Sequence, residues 1–130
     1  YILLKNIHQK YPKIDITVAV RALPVINDAT LDDARQIGLD RDFRVISSGS
    51  DAPGTIIEDC SEEFLRLFDE AGIVISKGQG NYETLSDTVR SIFFLLKAKC
   101  RVISRHTGSR VGDILLIHRG KKDDRQGKDE

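Results

Sequence analysis

The stretch "IVISKGQGNYETLSD", residues 73–87, runs from an apolar segment through a turn with one lysine and two glycines into a helix-like segment. Glycines at 78 and 80 let backbone N–H groups approach a ligand closely. The first turn of a following helix presents unpaired N–H groups and the positive end of its dipole. Such a turn can receive an anion, with phosphate the natural guest, and Lys77 adds charge. The same residues also suit a plain strand-to-helix turn, and local sequence leaves both readings open. The G-x-x-x-x-G-K-S/T loop is absent, and Glu83 stands where the third glycine of G-x-G-x-x-G belongs.

Two other places carry chemistry. In "INDAT", Asp28 follows Asn27 just past an expected strand end, where a carboxylate can hold a hard cation such as Mg²⁺ or Mn²⁺, or simply cap the next helix. In "LLKAKC", Lys97 and Lys99 fall near an expected helix C-terminus, where lysine suits the dipole and can also reach a phosphate. "SGSDAPGT" reads as a polar loop with Asp51 and Pro53 that can wall a pocket. His8, His106 and His118 have no partner at metal or triad spacing, which leaves Ser/His/Asp catalysis without support.

Positioning these groups falls to short alternating elements. "IDITVAVRA" (14–22), "FRVISSG" (43–49), "GIVISKG" (72–78), "CRVIS" (100–104) and "DILLI" (113–117) read as strands. Most are nearly continuous apolar runs, which suits strands covered on both faces of a parallel sheet. Helices are expected at "YILLKNIHQKY", at "TLDDARQIG" with Thr30 and Asp33 as a capping pair, at "SEEFLRLFDEAG", and over 82–97. In the last of these Leu85, Val89, Ile92, Phe93 and Leu96 form a helical stripe. The alternation predicts an α/β fold with a mainly parallel sheet, and ligands in such sheets bind beyond the carboxyl ends of the strands. The polar loops gather at that edge. Residues 1–118 are expected to form the core and 119–130, charged and without an apolar anchor, a disordered tail.

Composition narrows the class. Twenty Lys and Arg against twenty Asp and Glu leave no cationic excess for nucleic acid. No run is long enough to span a membrane. The two cysteines, Cys60 and Cys100, lack zinc or disulfide patterning and fit a reducing cytosol, so a cytoplasmic location is expected. The chain starts at Tyr1 and contains no methionine, which suggests a trimmed portion of a longer polypeptide.

"LPVINDAT", "SSGSDAPGT", "ISKGQGNYETL" and "FFLLKAKC", in this order, resemble the archaeal and bacterial branch of the metal-dependent damage-control phosphatases, the domain-of-unknown-function 89 family. The resemblance runs from about Ile14 to Ile103. It implies a three-layer, Rossmann-like α/β sandwich and hydrolysis of small phosphorylated metabolites such as sugar phosphates. It also implies a divalent metal, Mn²⁺, Co²⁺, Ni²⁺ or Mg²⁺, held by an Asp-Asn pair and one further Asp. Asp28 matches that further Asp and so becomes a catalytic and metal-binding candidate, with Asn27 beside it as a substrate-binding candidate. The Asp-Asn pair has no match in this chain, which is expected to be a C-terminal portion with an incomplete site. The substrate-binding turn of the family maps onto Lys77, Gly78, Gln79, Gly80, Asn81, Tyr82 and Glu83. The phosphate-contacting lysine maps onto Lys99, with Lys97 the weaker match. Two other readings stand beside the enzyme: a non-catalytic α/β module that binds a nucleotide or sugar phosphate, and an inert remnant of the enzyme.

Overall fold

Helices and strands alternate along residues 1–120, the part of the chain that the computed structural model describes. The order is α1 (Ile2–Lys10), β1 (Thr17–Val20), α2 (Leu31–Gln36), α3 (Leu39–Asp42), β2 (Arg44–Ser47), a 3-10 turn (Ile57–Asp59), α4 (Glu62–Glu70), β3 (Val74–Lys77), α5 (Gln79–Leu85), β4 (Ile92–Lys97), α6 (Arg101–Thr107) and β5 (Ile114–Arg119). The class is α/β. Two compact units divide the chain: Tyr1–Pro53 with Ile57–Leu65, and Gly54–Ile56 with the segment from Arg66 onward. Arg119, assigned to the charged tail from sequence, closes β5. The rest of that expected tail from residue 121 lies outside the described residues.

In the first unit β1 and β2 pair in parallel, Thr17 with Arg44 through Val20 with Ser47. Thr30 starts α2 with the expected capping box. Its hydroxyl accepts from the Asp33 N–H, and the Asp33 carboxylate accepts from the Thr30 N–H at 2.8 Å. Ala34, Leu39 and Phe43 form the core, with Leu4, Ile16, Val18 and Val45 packed against it. The rings of Tyr1 and His8 meet Phe43 edge-on, and the Tyr1 hydroxyl donates to Asp42, which ties α1 to the end of α3.

In the second unit β3 and β4 are parallel, with Val74 opposite Ile92, and β5 runs antiparallel to β4. Two expectations fail here. The helix expected over 82–97 is a seven-residue helix followed by strand β4. The stripe at 85, 89, 92, 93 and 96 fits a helix, but the aromatic and aliphatic run "IFFLLK" is equally suited to a pleat, and pairing with β3 decides it. Along β4 the even residues Ile92, Phe94 and Leu96 are buried, whereas Phe93, on the supposed stripe, is 37% exposed. The second failure is "CRVIS": Arg101–Thr107 is helix α6, and Gly108 ends it by the left-handed backbone that glycine favours. Among the described residues, cover on both faces is not seen either. Ile75 and Leu116, together with Ile114 at 85%, are exposed on the face opposite the buried row.

Candidate functional site

In the first unit, Arg21 continues β1 by bridging to Thr30, and its N–H donates to the Ala29 carbonyl. Between them the loop turns tightly, with the Asp28 N–H donating to Val25 at 2.9 Å. This places the Asp28 carboxylate against Arg21: Nε donates to Oδ2 at 3.0 Å. The Arg21 side chain is only 8% exposed and that of Asp28 is 44% exposed. Asp28 therefore presents a half-solvated carboxylate on a buried cation. It does not cap α2, since Thr30 does. Asn27 is exposed beside it. The next loop is pinned alongside: the Ser48 N–H donates to Val20, and the Ala22 N–H to Ser50. Asp51 is exposed on that loop.

These residues do not by themselves compose a metal site. Among the described residues no three His, Cys, Asp or Glu side chains cluster to hold an ion. Asp28 is a single carboxylate donor with one oxygen already committed to Arg21.

In the second unit, Lys77 ends β3 and Lys97 ends β4, so the carboxyl ends of two parallel strands bring the glycine turn and the "KAK" run together. The Gly78 N–H donates to Leu95 at 2.8 Å. Lys97 and Lys99 are therefore at a strand end and in the loop before α6, not at a helix C-terminus as the sequence suggested. Lys77, Lys97 and Lys99 are all exposed, while Ala98 between the last two is buried. Gly78 has φ +103°, and a Cβ there would meet nothing within 4 Å, so the backbone faces open space.

The amide side chains of the turn are bonded to neighbouring protein groups. Asn81 Nδ2 donates to the Lys77 carbonyl at 2.8 Å, and its Oδ1 accepts from the Thr55 hydroxyl at 2.8 Å. Gln79 Oε1 accepts from the Lys99 N–H at 2.7 Å, and Nε2 donates to Glu83 and Cys100. Tyr82, expected on the substrate side, is a core residue at 1% exposure. Its ring packs edge-on against Phe94 and His106, and its hydroxyl accepts from Arg119. Gly80 sits where Gly54 crosses closest, and Glu83 is exposed and holds Gln79. Three contributors went unnoticed in the sequence: Arg21, Gly54 and Thr55. A charged residue inside "VAVRA" was a signal for the first; the others act only through contacts some 25 residues away.

Each unit pairs two strands in parallel with polar loops at their carboxyl ends, the arrangement of an α/β protein. Residues 1–115 match the damage-control phosphatase ARMT1-like domain, and the chain belongs to that family. It is 45% identical over 92 residues to a damage-control phosphatase of Pyrococcus horikoshii, 70% of this chain and 32% of that protein. It is 37% identical over 116 residues to one of Archaeoglobus fulgidus, 88% of this chain and 40% of the relative. An uncharacterized protein of Methanocaldococcus jannaschii is 44% identical over 115 residues, covering 85% of this chain and 38% of that one. The crystal structure of a DUF89 family protein from Pyrococcus horikoshii superposes with a TM-score of 0.84 at 38% identity, over 90% of this chain and 41% of that chain. The chain thus spans about a third to two fifths of the length of these relatives. No helix among the described residues is long and apolar enough to cross a membrane.

Proposed function

We propose that the chain carries part of a phosphatase site for small phosphorylated metabolites such as sugar phosphates. The observation that supports this most is the edge formed by β3 and β4, where Lys77, Lys97 and Lys99 stand about a glycine turn with open space before it. Cations there offset the charge of a phosphoryl group and stabilise it during transfer, where positioning and electrostatics supply most of the catalysis. Lys99 is the phosphate contact in this reading, and Gly78 gives the ligand its approach to the backbone. In the first unit Asp28, oriented by Arg21, is the carboxylate assigned to a divalent cation, Mn²⁺, Co²⁺, Ni²⁺ or Mg²⁺. Such an ion, when bound, polarises phosphoryl oxygens and lowers the pKa of water. No other described residue is assigned as a metal donor.

The exposed Lys77, Lys97 and Lys99 support a second reading, a non-catalytic module that binds a phosphate ester at the lysine-lined edge without a metal. Metal dependence separates the two. The test is hydrolysis of a sugar-phosphate panel with Mn²⁺, Co²⁺ or EDTA, run on this chain and on a version extended to the length of the relatives. Metal-dependent turnover that is lost in Asp28→Ala supports the phosphatase. Turnover that survives Asp28→Ala with unchanged metal affinity removes Asp28 from the site. Phosphate-ester binding without turnover in either form supports the binding module.

A further inference from the structure

A glutamine in a ligand-binding turn is ordinarily read as a ligand contact. The hydrogen bonds of Gln79 argue otherwise. Its Oε1 accepts from a backbone donor, the Lys99 N–H at 2.7 Å, which fixes which end of the amide is oxygen. Both donor positions of Nε2 are then engaged, by Glu83 Oε1 at 2.9 Å and Cys100 Sγ at 3.6 Å. What remains to the side chain is an acceptor lone pair, which an ionised phosphate oxygen cannot use. The amide therefore has nothing to offer an anion in this arrangement. It spans the gap between the start of α5 and the loop before α6, and it does so at the backbone of the residue whose ammonium is the proposed phosphate contact. Ala98, just before, is buried, and the Cys100 N-cap has no side-chain cap bond. The Gln79 amide is thus a specific side-chain hold on the Lys99 backbone.

We propose that Gln79 is a positioning residue that acts through Lys99, clamping the 98–100 loop to the turn so that the Lys99 ammonium stands at the edge of the sheet. This rests on the reading of Lys99 as a phosphate contact. The test uses the full chain, isotopically labelled, with inorganic phosphate as the probe and four forms: wild type, Gln79→Met, Lys99→Ala and the double variant. Methionine keeps the length of the side chain and loses its hydrogen bonds. The expected result is that Gln79→Met speeds hydrogen exchange at the Lys99 amide roughly fivefold or more, the factor for one lost net hydrogen bond. It weakens phosphate binding by a similar factor in the Lys99 background, and by less than about twofold once Lys99 is alanine, the non-additivity of residues that act as one unit.

Full, additive losses in both backgrounds make Gln79 a direct contact and overturn the proposal. Unchanged exchange at the Lys99 amide in Gln79→Met overturns it as well. Equal phosphate binding by wild type and Lys99→Ala instead removes the phosphate role of Lys99, and the proposal falls with it. A Lys99→Ala loss with no effect of Gln79→Met sinks the clamp alone. Should Gln79→Met fail to fold, Gln79→Ala takes its place, since it too removes the acceptor of the Lys99 N–H; unchanged exchange at that amide refutes the clamp.

Discussion

Replacing Gly54 with alanine tests how the turn is held. Gly54 has φ +107°, and a Cβ on it would lie 2.7 Å from the Gly80 carbonyl oxygen and 2.7 Å from Thr84 Cγ2. One of these atoms is backbone in the first turn of α5, so it cannot move without shifting the turn. The next residue makes the two bonds that dock the loop: the Thr55 N–H to Thr84 Oγ1 at 2.9 Å and the Thr55 hydroxyl to Asn81 at 2.8 Å. Overpacking costs about 1–3 kcal/mol and an unfavourable positive φ about 1–3 kcal/mol, so Gly54→Ala should lose roughly 3 kcal/mol. Gly78 supplies the control, since its φ is +103° but nothing lies within 4 Å of its missing Cβ. Gly78→Ala should show the backbone part alone, about 1–2 kcal/mol. At an assumed urea slope of about 1.5 kcal/mol/M, the midpoint falls by roughly 2 M for Gly54→Ala and about 1 M for Gly78→Ala. The chain has no tryptophan, so unfolding is followed by far-UV circular dichroism. Equal shifts for the two variants, or a Gly54→Ala shift under about 0.5 M, would refute the claim that close approach of Gly54 to Gly80 fixes the turn.

Other outcomes follow from single contacts. Thr30→Ala removes the N-cap of α2 and should cost about 1 kcal/mol in the same urea experiment. The Thr30 N–H, and then its hydroxyl, hold the Asp33 carboxyl below the ordinary carboxylate range. A lowered folded pKa means that the unfolded chain binds more protons across that window, so this stability is present above the unfolded value and lost as pH falls through the folded one. Asp33→Asn should therefore be less stable than wild type at neutral pH, with the gap closing in acid; a gap independent of pH disproves it. Tyr82→Phe should cost about 1 kcal/mol through the lost Arg119 bond, and Tyr82→Ala about 3–5 kcal/mol through the cavity. A ligand-lining tyrosine would instead lose binding with little change in stability.

Much was legible in the chain itself. Strands at 43–49, 72–78 and 113–117 announce themselves by short apolar runs between turn residues, and the Thr30–Asp33 box marks its helix start, because these signals are local hydrogen bonds and local burial. The order of the loop motifs also sufficed to indicate the family. What the sequence could not decide was which of two periods the 82–97 stretch obeys, since residues 85, 89, 92, 93 and 96 satisfy a helix and "IFFLLK" satisfies a strand. Parallel pairing of Ile92 with Val74 breaks that tie, through hydrogen bonds to residues 18 positions away. The candidate site followed the same division. Residue types gave the lysines, the glycines and Asp28, whereas only tertiary packing turned Tyr82 into the core, set Asp28 on buried Arg21, and spent the Gln79 and Asn81 amides on neighbouring backbone. A side chain's type limits the bonds it can make; the partners that fill them come from distant parts of the chain, and those only the fold supplies.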